Sequence, residues 1–221
     1  MSGLLQLLLL ESPVKIGMFG DNKSNPTLFY PGSGKDFSPL HCFLKHKSIS
    51  TFVYCDYALA GIGGATAQNY RQIMQEKLPN CGVITAIKPV QLGAASWEDF
   101  WHESPDARKY AKPTECFGLH ALFKHDGVEK HFIFLKTEAL GTYRMLWGKH
   151  GKSPACVYLK DHGLGLNWTR YTGPAGLYKE ACKNPPPFIC AADHSDPGWP
   201  DYTATEDLPC GKLYRLNKPA K

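Results

Sequence analysis

The sequence of 221 residues lacks any Gly/Ser-rich or charged linker that would divide it into separate domains. It also lacks an apolar run of the roughly 20 residues that a membrane-spanning helix needs, since the apolar stretch within residues 1–12 is far shorter. The same N-terminal stretch has neither the basic segment nor the small-residue cleavage site of a signal peptide. We therefore expect a single domain over residues 1–221 and no membrane partner.

The eight cysteines form no Cys-x-x-Cys pair and no Cys/His cluster at the spacing of a zinc site. No metal site is therefore expected. Cys55 and Cys156 lie inside apolar runs, where a free thiol packs as a small hydrophobic group. These features favour a reducing, cytoplasmic compartment and leave a disulfide framework as the alternative.

The formal net charge of +5 arises from basic residues that are dispersed along the chain, without a Lys/Arg cluster. This pattern does not favour nucleic acid as a partner, and it would steer any anionic small molecule equally well. The sequence also contains no Gly-x-Ser-x-Gly elbow, no Walker lysine motif and no His-Glu-x-x-His motif. The lack of a specific catalytic motif keeps a non-catalytic binding protein open as an alternative to an enzyme.

An alternation of strand and helix signals fills the first third of the chain. Thr27 to Tyr30 predicts a buried strand, and Ser38-Pro39 is a typical helix start. The β-branched and aromatic run that ends at Asp56 predicts a second strand, and residues 66–78 place apolar side chains on one helical face. This order indicates parallel strands joined by right-handed crossovers.

The later sequence predicts a mixed arrangement. Asp126-Gly127 between two strand-like runs is a strong β-hairpin signal, and Thr137 is a candidate cap for the next helix. We predict an α/β, Rossmann-like three-layer domain with a mixed, mostly parallel central sheet and one β-hairpin. It comprises an N-terminal extension, a βαβα half with a ligand loop, and a second half with the hairpin and late aromatic loops, over residues 1–26, 27–80 and 81–221.

In an open α/β sheet the ligand lies beyond the carboxyl ends of the strands. The Gly-Ser-Gly turn after the first predicted strand would let a backbone approach a ligand closely, and the following helix would offer N–H groups to an anion. An acid at the end of the second strand matches the place of a ribose-binding carboxylate. The predicted cofactor-binding residues are Tyr30, Gly32, Ser33, Gly34, Asp36 and Asp56. The alternative is a plain turn without a ligand.

Asp161 and His162 follow a later strand, and a carboxylate beside an imidazole can serve acid/base chemistry. We predict these two residues and Glu138 as catalytic. As neighbours on a strand, however, Asp161 and His162 would point to opposite faces, and Glu138 could be an ordinary first-turn acid.

The predicted substrate-binding residues are Asn167, Trp168 and Asp193. The late aromatic residues, Trp168 among them, could stack on a base or sugar, or they could close the core. Asp193 begins a stretch of ordinary turn formers, so a turn is the alternative there.

The stretch YPGSGKD, followed by a helix and then FVYCDY, resembles the first βαβ unit of class I S-adenosylmethionine-dependent methyltransferases. The resemblance covers about residues 27–78. It implies that Gly32 and Gly34 form the glycine loop under the cofactor and that Asp56 holds the ribose hydroxyls. Asp36 stands where the family has a third loop glycine, and KDHGLGLNW replaces the Asn/Asp-Pro-Pro-Tyr motif of the amino-methylating members. The whole chain also resembles bacterial and phage-type proteins of unassigned function.

Together these features predict an enzyme that binds a nucleotide-like or S-adenosylmethionine-like ligand, a transferase or else a hydrolase. The alternative is a non-catalytic protein that sequesters a nucleotide or a protein partner. A nucleic-acid module ranks behind both, because the basic residues do not cluster.

Overall fold

A computed structural model describes residues 27–56, 66–90, 96–103, 112–160, 177–192 and 201–217. Nine strands form one sheet. Their bounds are β1 Thr27–Pro31, β2 Thr51–Cys55, β3 Val83–Pro89, β4 Phe117–His125, β5 Val128–Lys136, β6 Cys156–Leu159, β7 Phe188–Ala191, β8 Tyr202–Leu208 and β9 Gly211–Leu216.

Five α-helices lie within the described ranges. They are α1 Ser38–Phe43, α2 Ala67–Lys77, α3 Trp97–His102, α4 Ala139–Leu146 and α5 Leu177–Ala181. Helix α2 is the longest, and Thr66 caps it by accepting a hydrogen bond from the Asn69 N–H at 3.2 Å. Tyr70 and Met74, four residues apart, are its buried side chains. The predicted strand-helix-strand-helix order of β1, α1, β2 and α2 is present.

The strand order in the sheet is β3-β4-β5-β2-β1-β6-β7-β9-β8. The inner strands β5, β2, β1, β6 and β7 pair in parallel. The antiparallel hairpin of β4 with β5 lies on one side of the sheet, and that of β9 with β8 lies on the other. Strand β3 pairs antiparallel with β4, and β9 pairs antiparallel with β7. Four strand pairs are therefore parallel and four are antiparallel.

The prediction of a mostly parallel, Rossmann-like three-layer domain is wrong. Half of the strand pairs are antiparallel, and four of the five described helices have eight residues or fewer. The predicted hairpin at Asp126-Gly127 is present, with both turn residues at positive φ as a two-residue hairpin turn requires. A second hairpin, β8 with β9, was not predicted, because its turn at Pro209-Cys210 carries no Asn-Gly or Asp-Gly signal.

Hydrophobic side chains pack on both faces of the sheet. One face packs against α1 and α2, and Leu40, Tyr70 and Met74 are its fully buried helical residues. The opposite face packs against α3, α4 and α5 around Trp147, which is also fully buried. Strand β1 is buried along its whole length because it lies inside both the sheet and this packing.

A disulfide joins Cys42 of α1 to Cys210 in the turn between β8 and β9. It links segments 168 residues apart in the chain. The other cysteines in the described ranges are free: Cys55, Cys81, Cys116, Cys156, Cys182 and Cys190. Within those ranges, no helix is long and apolar enough to cross a membrane.

A pair of histidines joins the two strands of the β4–β5 hairpin. His120 Nε2 lies 3.0 Å from His131 Nδ1, and His131 Nε2 lies 3.5 Å from Glu129 Oε1. Burial lowers the pKa of His131 from 6.5 to about 4. The nearby Glu129 carboxylate favours the protonated His131 ring, but burial has the larger effect on the pKa. His131 is therefore neutral in the folded protein at neutral pH.

We expect this histidine to make the protein less stable in weak acid. The unfolded chain takes up a proton at His131 near pH 6.5, whereas the folded chain does so only near pH 4. The unfolded state therefore binds more protons between these values, and stability falls as the pH falls through that window. The linkage predicts a loss of about 2 kcal/mol between pH 7 and pH 5.

Urea unfolding of the wild type and of His131→Gln at both pH values measures this loss. The variant should lose about 2 kcal/mol less than the wild type between pH 7 and pH 5. His102→Gln, at an exposed histidine, serves as the control and should keep the wild-type pH dependence. An unchanged pH dependence in His131→Gln would contradict the assignment.

Candidate functional site

The carboxyl ends of β5, β2, β1 and β6 meet at one edge of the sheet, because these four strands are neighbours and run in the same direction. We call the residues that follow these strands there the carboxyl edge. They are the loop Gly32–Asp36 after β1, Asp56 after β2, Glu138 after β5 and Lys160 after β6.

The loop after β1 is held by hydrogen bonds on both sides of Gly34. The Gly34 N–H donates to Asp56 Oδ2 at 2.7 Å, and the Tyr70 hydroxyl donates to the Gly34 carbonyl at 3.2 Å. Gly32 and Gly34 have φ values of +65° and +53°, a left-handed conformation that side chains other than glycine rarely adopt. The Ser33 N–H donates to the Cys55 carbonyl at 3.2 Å. The Gly-Ser-Gly turn is therefore fixed by the neighbouring strand β2 and by α2.

The Asp36 carboxylate receives hydrogen bonds from three residues. Its Oδ1 accepts from the Ser38 N–H at 2.9 Å, and its Oδ2 accepts from the Tyr30 hydroxyl at 2.9 Å and from Lys160 Nζ at 2.6 Å. Partial burial works against the charged carboxylate, but the bonds from Lys160 and Ser38 outweigh it and lower the pKa of Asp36. Asp36 is ionised at neutral pH and ties the loop to β6.

Three tyrosine rings lie beneath the loop. The Tyr30 ring packs edge to face against Tyr54 and Tyr158, at centroid distances of 5.0 Å and 4.8 Å. Burial, and then the negative charge of Asp36, raise the pKa of Tyr30 well above its usual value. The Tyr30 hydroxyl is therefore a stable donor to Asp36 and does not ionise.

Glu138 is the N-cap of helix α4. Its Oε2 accepts hydrogen bonds from the Leu140 N–H at 2.8 Å and the Gly141 N–H at 3.0 Å. Thr137, the predicted cap, instead lies within hydrogen-bond distance of the Thr142 hydroxyl. Burial, followed by the charges of Glu138 and Asp56, raises the pKa of the Cys55 thiol, so both carboxylates lie near the end of β2.

The predicted cofactor residues are brought together by the structure, with Tyr30 beneath the loop and Asp56 beside it. The Ser38 N–H, expected to be offered to an anion, donates instead to Asp36. Lys160 was missed, although it directly precedes the predicted catalytic pair. Its partner Asp36 is 124 residues away, so no local signal could have paired them. The remaining predicted residues lie outside the described ranges: Asp161, His162, Asn167, Trp168 and Asp193.

Among the described residues, no group of three or more His, Cys, Asp or Glu side chains is arranged to hold a metal ion. Comparison of the chain with protein-family models, curated proteins and solved structures gave no match. What can be said of function therefore depends on the geometry of the carboxyl edge.

We expect the Tyr30 hydroxyl to contribute more to stability than the Tyr158 hydroxyl, although both belong to the same buried ring cluster. Tyr30 donates to a charged carboxylate, whereas Tyr158 donates to the neutral Cys210 carbonyl at 2.8 Å. Tyr30→Phe should cost about 1.5–3 kcal/mol and Tyr158→Phe about 0.5–1.5 kcal/mol. Urea unfolding at neutral pH measures both, and an equal or smaller loss for Tyr30→Phe would contradict the role given to Asp36.

Proposed function

We propose that the protein binds a nucleotide-like small molecule at the carboxyl edge, with S-adenosylmethionine among the candidate ligands. The observation that carries the proposal is the glycine loop Gly32–Asp36, held at the ends of adjacent parallel strands with Asp56 against its backbone. A loop of this kind lets a ligand approach the main chain, because glycine has no side chain in the way. Fixing the loop in the folded protein also lowers the entropy cost of binding.

The charges at the carboxyl edge are of both signs. Asp36 and Asp56 offer carboxylate oxygens, which suit the hydroxyl groups of a ribose, and Lys160 offers an ammonium group, which suits an anionic group. A nucleotide-like ligand carries both kinds of group. This agreement supports a nucleotide-like ligand over a purely apolar one.

For the reaction, we propose a transferase in which Asp161, His162 or Glu138 supplies acid/base chemistry. Asn167, Trp168 and Asp193 are its proposed substrate contacts. The support for this part is the resemblance of residues 27–78 to the methyltransferase βαβ unit and the contact of Lys160 with the loop, since Asp161 and His162 directly follow Lys160 in the sequence. We also propose a cytoplasmic setting, which the six free cysteines favour and the Cys42–Cys210 disulfide opposes.

A non-catalytic binding protein is the second candidate. The observation that favours it is that Glu138 and Asp56 both accept main-chain hydrogen bonds, so that each has a structural task. Such a protein would sequester the ligand or a protein partner without converting it. Multiple turnover of a bound ligand would exclude this candidate.

The ligand class can be tested by thermal unfolding, with and without magnesium, against S-adenosylmethionine, NAD, ADP-ribose, ATP and phosphoribosyl pyrophosphate. A ligand at 100 times its Kd adds about 2.7 kcal/mol to stability and should raise Tm by several degrees. Asp56→Asn keeps an oxygen that can accept from the Gly34 N–H, but it removes the charge. We expect this variant to weaken binding on the order of tenfold or more.

Asp207→Asn is the matched control, because it makes the same change at an exposed carboxylate on the β8–β9 hairpin. It should bind like the wild type. Wild-type affinity in Asp56→Asn would overturn the placement of the ligand beside Asp56. No Tm shift with any of the five compounds would overturn the nucleotide-like ligand itself.

A further inference from the structure

Lys160 lies beside the glycine loop because β6 pairs in parallel with β1, so that the residues after the two strands meet. Its Nζ is 2.6 Å from Asp36 Oδ2. The Lys160 side chain is 44% exposed and that of Asp36 is 22% exposed. The ammonium group is therefore placed at the carboxyl edge and is accessible from solvent.

The Asp36 carboxylate does not depend on Lys160 for its hydrogen bonds. If Lys160 moved away, Oδ1 would keep the Ser38 N–H and Oδ2 would keep the Tyr30 hydroxyl, both at 2.9 Å. An ion pair with this much solvent exposure contributes little to stability. Lys160 can thus leave Asp36 at low cost, and the loop stays in place when it does.

The ion pairs of Glu180 give a structural arrangement for comparison. Glu180 is 7% exposed, and it accepts from Arg144 Nε at 3.2 Å and from Lys183 Nζ at 2.9 Å. Arg144 is further held by a bond to the Glu103 carbonyl at 2.8 Å. There the buried carboxylate keeps a fixed guanidinium partner even if Lys183, which is 61% exposed, moves away, whereas at Asp36 the exposed Lys160 is itself the paired cation.

An anionic ligand at the carboxyl edge needs a cation, since Asp36, Asp56 and Glu138 would otherwise repel it. Lys35 is an exposed cation within the loop, and Lys160 is the cation held against the loop by an ion pair with Asp36. We infer that Lys160 binds the anionic group of the ligand, a phosphate or a carboxylate, by moving from Asp36 to that group. This inference rests on the proposed function and adds the residue that distinguishes charged from uncharged ligands.

The test compares three adenosine compounds by isothermal titration calorimetry. ADP carries a phosphate anion, S-adenosylmethionine carries a carboxylate, and adenosine carries neither. Lys160→Met should weaken binding of the anionic compound about 10- to 100-fold, the usual range for a charged hydrogen bond, and leave adenosine unchanged. Whether ADP or S-adenosylmethionine shows the loss identifies the anionic group. Lys160→Arg should retain most of the affinity, because it keeps the charge.

Lys47→Met is the matched control. It removes the same charge from an exposed lysine that lies just before β2, at the opposite end of that strand from Asp56. It should bind all three compounds like the wild type. Urea unfolding of Lys160→Met should give a midpoint close to that of the wild type, which separates a binding effect from a folding effect.

Failure of the Lys160 role and failure of the proposed function would give different binding results. Equal affinity of Lys160→Met and wild type for the anionic compounds would overturn the role of Lys160 and leave the proposed function standing. A similar loss of affinity for adenosine and for the anionic compounds would also overturn it, since Lys160 would then not be recognising the charge of the ligand. If the wild type binds none of the three compounds, the proposed function and this inference are both overturned for adenosine ligands.

Discussion

The parallel pairing of β1 with β2 on one side and with β6 on the other is the constraint on which the candidate site depends. Leu28 lies opposite Phe52 of β2 and Cys156 of β6, so the three strands end at nearly the same level. Three loops that are distant in the sequence therefore begin side by side. The close packing of β1 on both faces fixes this register, because a shift by one residue would exchange Leu28 and Tyr30 on one face with Phe29, which packs against Trp147 on the other.

Asp36 fixes the conformation of the loop Gly32–Asp36 that follows β1. Its two oxygens connect the start of α1, the ring cluster beneath the sheet edge, and the end of β6. A residue without a side chain at this position could make none of these bonds. The loop is therefore shaped by side-chain hydrogen bonds as well as by the backbone freedom of Gly32 and Gly34.

Local signals in the sequence were sufficient for the elements that carry the site. The strands ending before Gly32 and Asp56, and the turn at Asp126-Gly127, were predicted because propensity and turn chemistry act over a few residues. The sheet was mispredicted because the antiparallel pairings of β3 with β4 and of β7 with β9 join separated segments, and because the β8–β9 turn carries no hairpin signal. The cap of α4 was assigned to Thr137 instead of Glu138, a one-residue error typical of helix boundaries. The pairing of Lys160 with Asp36 has no local signal at all.

The hydrogen bonds of Gly34 fix the conformation of the glycine loop in the folded protein. Its N–H and its carbonyl are both bound by side chains, from Asp56 and Tyr70, which come from different elements. Most of the conformational entropy of the loop is therefore lost on folding, and little remains to be lost on binding. The same bonds commit the Gly34 N–H to the protein. The proposed ligand would therefore be recognised by side chains around the loop, such as Asp56 and Lys160, more than by this N–H.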